Sequence, residues 1–306
     1  MDIKTRFENA LQAFTDKIKP DPNVRAVILY GSMANDTVWE KSDMDIIVLV
    51  REMKLATHEF CIEEDGLILN VKLVVEFGFK RHIEGSLGGG WSHSFYHKAR
   101  VVYAKDDSLR DFIAEFQGSM GADDQALSLF QYATWLVGDM EKIEKWLTVK
   151  DDPLYAQFWL LKTAEAYANM RLVLDGKPPS REALLKVMEY APQAVEHIYL
   201  KPMQGEMTRD EIWEALRFFK QFLTDNLELL KQPVVSYMAD GEVRTVTSLV
   251  KHFRLTAHEI YHVFQFLEET GVVARVTEYT RITPKSRDAV EEVAFMYIEN
   301  MEANQW

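Results

Sequence analysis

The chain has a single cysteine, Cys61, among 306 residues. No disulfide can form within it, and the sequence reads as that of a protein of a reducing compartment, the cytoplasm. It has no run approaching eighteen apolar residues, and charges interrupt the stretch Met1–Lys19. Neither a membrane span nor a signal peptide is therefore expected. Basic residues are also short: 35 Lys and Arg stand against 48 Asp and Glu, for a net charge of −13. The excess of acid is shared by all parts of the chain. No stretch offers the basic surface that sequence-independent binding to nucleic acid requires.

What is present is an ordinary globular composition, 47% apolar and 27% charged, over a length that suggests two or three domains. The most informative stretch is Val24–Val50. An apolar run (Val24, Ala26, Val27, Ile28, Leu29) ends at Gly31-Ser32, and Ser42-Asp43-Met44-Asp45 opens a second run from Ile46 to Val50. Two apolar runs bounded by turn residues suit buried strands. Asp43 and Asp45 are two residues apart, so on a strand their carboxylates share one face. Like charges held that close call for a cation between them, and hard oxygen donors favour Mg²⁺.

Gly31-Ser32, ten residues, then Asp43-x-Asp45 between hydrophobic strands resembles the signature of the DNA polymerase beta-like nucleotidyltransferases, most closely the small-molecule, aminoglycoside-modifying branch. The resemblance implies that Gly31 and Ser32 hold a nucleoside triphosphate, with Ser42 beside them, and that Asp43 and Asp45 ligate Mg²⁺. Glycine lets the backbone approach phosphate, and a serine hydroxyl can donate to it. Members of the family commonly carry a third carboxylate on the next strand. Here Leu67–Phe77 reads as that strand, and Asn70 stands where the acid would be. An amide oxygen can touch a metal, but it brings no charge and cannot act as a base. Glu76, six residues on, is too far along a regular strand to replace it.

The rest of the first 120 residues completes an α/β catalytic domain with a mixed sheet. Residues 2–19 read as an amphipathic helix, Arg51–Glu63 as a helix before a turn at Asp65-Gly66, Arg100–Lys105 as a strand and Ser108–Phe116 as a closing helix. Gly88-Gly89-Gly90, with Trp91, His93 and His97 behind it, reads either as a wall of the substrate cleft or as a plain connector. From about Asp123 the period is helical: Asp124–Leu147, Pro153–Leu174, Ser180–Tyr190 and Thr208–Leu230 predict an all-α bundle over 121–232. The resemblance places the acceptor between such a bundle and the catalytic domain. In the second helix, Lys162 is a candidate for the triphosphate and Glu165 for the base that Asn70 cannot be.

Residues 233–306 predict a small winged-helix domain. TVTSLVKHF, a turn at Arg254-Leu255 and a helix over Thr256–Thr270 lead into a small hairpin over Val272–Ile282, with a last helix from Thr283-Pro284. Its second helix would present His258, Glu259, His262, Gln265 and Glu268, poor partners for phosphate; Arg275 and Arg281 are better placed. Dimerisation or domain packing is preferred for this segment over DNA binding. It also contains HExxH at His258–His262, whose histidines at i and i+4 could chelate zinc with Glu259 as base. No HxxGxxH extension follows, and the helix-turn-helix pattern accounts for the same residues. The expectation is thus a cytoplasmic, Mg²⁺-dependent nucleotidyltransferase that moves AMP from ATP to a hydroxyl of a small, aminoglycoside-like acceptor. A nucleotide-sensing or DNA-binding regulator that keeps the fold is the alternative.

Overall fold

A computed structural model describes residues 2–31, 39–79, 99–116 and 122–298. The chain divides into two compact units, residues 1–120 and 121–306.

The first unit is built on a five-stranded mixed sheet. Its strands are β1 (Val24–Tyr30), β2 (Met44–Val50), β3 (Glu59–Glu64), β4 (Leu67–Val75) and β5 (Arg100–Ala104), in the order β3-β4-β2-β1-β5. Only β2 and β4 run parallel; the other pairs are antiparallel. The continuous apolar runs of β1 and β2 reflect burial on both faces. On one face helix α1 (Ile3–Ile18) lays Phe7, Leu11 and Phe14 against Val27, Leu29, Ile46, Val48, Leu69 and Val71. On the other, Ala26, Ile28, Ile47 and Leu49 meet Phe79 and, from helix α2 (Ser108–Phe116), Leu109 and Ile113.

The helix expected over Arg51–Glu63 is not formed. Residues 51–58 are irregular, and Glu59–Glu64 is the edge strand β3. The reason is the turn. Asp65 and Gly66 both have positive φ, 52° and 71°, the pattern of a two-residue hairpin whose twist matches its strands. Charged side chains on one edge strand look helical by spacing, yet they protect an edge from further pairing. Glu76 lies outside β4, in a helical turn over residues 76–79, and pairs with Arg25 at 3.3 Å.

In the second unit, helix α3 (Ala122–Thr148) packs along α4 (Pro153–Leu174). Asp152 caps α4 by accepting the Tyr155 N–H, with Pro153 in the first turn. Helix α5 (Ala183–Tyr190) and short turns through residues 192–204 follow. Helix α6 (Arg209–Asp225) opens with a Thr208–Glu211 capping box and buries Ile212, Leu216, Phe219 and Leu223. It ends at Asn226 instead of running to Leu230. Pro233 lies in the first turn of a further helix, α7 (Gln232–Met238).

The tail then gives β6 (Arg244–Thr245), α8 (Val246–Phe253) and α9 (Ala257–Glu269), with Arg254 in the left-handed region between the helices. A three-stranded sheet of order β6-β8-β7 follows from β7 (Val273–Thr280) and β8 (Val290–Tyr297). Two expectations are corrected here. Val273–Thr280 is a single strand, and its partner is the segment predicted to be the last helix. β8 is central in this sheet and fully buries Ala294 and Phe295, and the Phe295 ring meets Phe264 at 4.9 Å. Burial decides over a local sequence that suits either state. Phe130 of α3 in turn meets Phe253 and Phe264, at 4.8 and 6.4 Å.

Candidate active site

β1 ends at Tyr30 and the chain turns at Gly31, which has φ +78° and is buried. A Cβ built on Gly31 would overlap the carboxylate of Asp45. Any other residue would therefore meet both a strained backbone and a steric conflict, and only glycine lets the turn close against Asp45. On β2, Asp45 is half-buried and Asp43, just ahead of the strand, is exposed. Alternation puts both on the sheet face opposite α1, since Met44, Ile46 and Val48 pack towards α1.

Register brings further residues into the same row. Tyr30 is opposite Asp45, Asp45 is beside Asn70, and Asn70 is opposite Cys61. Paired residues share a face, so Tyr30, Asp45, Asn70 and Cys61 form one line across four strands. The Asn70 amide donates from Nδ2 to Asp43 Oδ2 at 2.5 Å. An N–H donor thus sits against the Asp43 carboxylate. Alongside lies a cavity of about 370 Å³ bordered by Tyr30, Glu59, Cys61, Asn70 and Lys72.

The loop entering β2 is closed locally. Ser42 Oγ accepts the Trp39 N–H at 3.1 Å, and the Ser42 N–H returns to the Trp39 carbonyl at 2.9 Å. The Ser42 hydroxyl proton is still available to an acceptor. Trp39 is 63% exposed, with Lys41 Nζ 5.9 Å from its ring centroid. Ser32 and the glycine-rich stretch 88–97 lie outside the described residues.

Of the other candidates, Lys162 and Glu165 are exposed on α4 and belong to the second unit. Lys162 Nζ rests over the Trp159 ring, 4.1 Å from its centroid. Thus Gly31, Asp43, Asp45 and Asn70 come together in one unit with Ser42 adjoining them. Tyr30, Cys61, Trp39 and Lys41 were not picked out from sequence. The Cys61–Asn70 pairing was countable outward from the Asp65-Gly66 turn, whereas Tyr30 opposite Asp45 depends on a connection too long for counting.

The donor set suits Mg²⁺. That ion is commonly held by one or two carboxylates, with water and substrate phosphates completing its shell. Asp43 and Asp45 supply the carboxylates on one face of the sheet, and Asn70 has an amide oxygen if its side chain turns. Among the described residues no group of three or more His, Cys, Asp or Glu is placed to hold a metal ion.

Residues 12–108 match the family model described as Polymerase beta, Nucleotidyltransferase. A solved nucleotidyltransferase-like protein from Exiguobacterium sibiricum 255-15 superposes with a TM-score of 0.67 at 13% identity, covering 96% of this chain and 100% of that one. The chain has a nucleotidyltransferase-like fold. The nucleotidyltransferase match spans α1 from its second half, all five strands of the first unit and the row of Asp45 and Asn70. Spectinomycin adenyltransferase AAD(9) from Enterococcus faecialis, solved with ATP and spectinomycin, gives a TM-score of 0.33 at 13% identity over 69% of this chain and 97% of that one. Comparison with curated proteins gives no match. No helix among the described residues is long and apolar enough to cross a membrane.

Proposed function

We propose that the chain is a Mg²⁺-dependent nucleotidyltransferase that transfers AMP from ATP to a hydroxyl of a small molecule, with an aminoglycoside-like acceptor as the first class to test. The observation that carries this reading is the closure of Gly31 against Asp45, with Asp43 and Asn70 on the same face of the sheet. In the reaction an acceptor oxygen bonds to the α-phosphorus, the bond to the bridging oxygen breaks, and pyrophosphate leaves. Mg²⁺ would supply charge neutralisation at the phosphates.

The chain's own residues have separable tasks. Gly31 lets backbone approach the triphosphate, and Ser32 and Ser42 offer hydroxyl donors to it. Asp43 and Asp45 hold the metal. Asn70 orients Asp43 and can accept no proton from the acceptor, so the base is assigned to another carboxylate. From residue type alone, Lys162 is the candidate cation for the triphosphate and Glu165 the candidate for that base. Lys162→Ala should raise KM for ATP, and Glu165→Gln should lower kcat.

Pyrophosphate release from ATP and Mg²⁺, measured against a panel of acceptors, tests the reading. Asp43→Asn and Asp45→Asn should each abolish release while leaving the thermal melt intact; wild-type release by either variant would overturn the site. Asn70 motivates a second reading, a nucleotide-binding regulator without turnover. It predicts Mg²⁺-dependent ATP binding with no pyrophosphate for any acceptor. The tail, which we read as a winged-helix-like element, suits packing better than DNA: Arg275 is held by Glu268 at 2.5 Å and reaches Tyr261, which withdraws it from a phosphate.

A further inference from the structure

The HExxH string of α9 is split by the fold into two separate roles. Glu259 is the N3 residue of a capping box. Its carboxylate accepts the Thr256 N–H and hydroxyl, both at 2.7 Å, and the Trp135 indole N–H at 2.8 Å. Burial alone would raise its pKa, but these hydrogen bonds hold it below the ordinary value. A carboxylate so engaged cannot serve as the general base of a zinc peptidase, and the motif's two histidines are left to account for.

His262 is nine-tenths buried where α9 packs on α3. Its Nδ1 is 2.5 Å from Glu141 Oε1. A carboxylate that accepts from Nδ1–H leaves Nε2 as the ring nitrogen turned toward His258. That Nε2 lies 2.9 Å from Nδ1 and 3.2 Å from Nε2 of His258, one helical turn earlier. The two rings are nearly perpendicular, 88° apart with centroids 4.0 Å apart, so Nε2 of His262 now faces the plane of the other imidazole. His258 is exposed, and for both imidazoles to meet one ion its ring would turn about its outer side-chain torsion. A carboxylate holding the far nitrogen of a histidine is the outer-shell arrangement that orients metal-bound imidazoles.

We propose that His258 and His262 form a site for a borderline divalent transition-metal ion, zinc in the first instance, with Glu141 as the residue that positions His262. Imidazole nitrogens favour Zn²⁺, Ni²⁺ and Cu²⁺ over Mg²⁺, so this site and the aspartate site select different ions. Two protein ligands with the remaining positions held by water make an open, exchangeable site. Because Glu141 is on α3 and both histidines are on α9, an occupied site ties the tail to the long helix.

Calorimetric titration of the full chain with zinc chloride, with magnesium present in millimolar excess, is the test. One zinc per chain should bind, and the melting temperature should rise with it. His258→Gln, at an exposed position, should keep the fold and lose at least tenfold in affinity. Glu141→Gln should weaken binding by about 10- to 100-fold, the range for such outer-shell partners. Asp43→Asn should bind zinc as the wild type does. The proposal is overturned if the wild type shows no saturable zinc binding, or if His258→Gln binds equally well. Equal binding by Glu141→Gln would remove the positioning role.

Discussion

Replacing Asn70 by aspartate puts the arrangement of the first unit to its sharpest test. In the wild type the Asn70 amide donates to Asp43 Oδ2 at 2.5 Å, and Asp45 is its lateral neighbour on the adjoining strand. Asn70→Asp removes that donor and sets a third carboxylate beside two others. Two carboxylates about 4 Å apart repel by about 1 kcal/mol in water and about 4 kcal/mol at an effective dielectric of 20. Exposure of Asp43 selects the lower half of that range. Loss of the hydrogen bond adds about 1 kcal/mol. Without divalent ions the variant should therefore be less stable by about 2–3 kcal/mol, a fall of roughly 10 °C in the melt of the first unit.

The sign of the pH dependence follows. Repulsion raises a carboxylate pKa in the folded state, so the folded variant binds protons more readily than its unfolded chain. The deficit should be full at neutral pH and should fade as pH falls through the raised pKa. Magnesium should reverse it, because a third charge strengthens the hold on the ion. Turnover should rise, by about a hundredfold to ten-thousandfold, if the added carboxylate also accepts the acceptor's proton. Paired melts in EDTA and in Mg²⁺, with pyrophosphate release alongside, read out each arm. A variant whose melt ignores Mg²⁺ would refute the reasoning, since the three side chains would then not share an ion.

Gly31→Ala combines a positive φ with overlap on Asp45, and should cost about 1–3 kcal/mol and abolish ATP binding by calorimetry. Truncation after Gln232 should give an insoluble or unfolded second unit in a solubility and melting assay, because Phe130 loses Phe253 and Phe264. Thr256→Ala should lower the melt of the second unit by the equivalent of about 1 kcal/mol through loss of the cap. The depressed pKa of Glu259 makes its share of stability complete above the unfolded glutamate value and lost as pH falls through the folded one. An acid titration of the melt should accordingly show a smaller decline in Glu259→Gln than in the wild type.

The parts of the site that sequence made legible are those set by short-range rules. Gly31, Asp43 and Asp45 are marked by apolar runs meeting turn residues, and Asn70 by its place on a strand with a strong pattern. Side-chain alternation then fixes the face that each one shares. What was not legible depends on partners far along the chain. Arg51–Glu63 carries charges at helical spacing, yet the hairpin through Asp65-Gly66 claims its second half as an edge strand. Val290–Tyr297 is rich in residues tolerant of helix, and becomes a strand because β6 and β7 both need it. The tail's local pattern is complete in itself, so residues 233–306 read as a separate small domain. Its tie to the bundle rests on Trp135, Glu141 and Phe130, more than a hundred positions away, which no local window connects to Glu259, His262 or Phe264.

The position of Cys61 has a practical consequence. It is the chain's only thiol, it is exposed, and it stands two strands across from Asp45 in one transverse row. Adjacent strands are about 4.8 Å apart, so a fluorophore coupled there would begin about 10 Å from Asp45. The native chain thus carries a unique attachment point for an environment-sensitive dye, and nucleotide arrival could be followed in real time with no engineered cysteine and no background labelling.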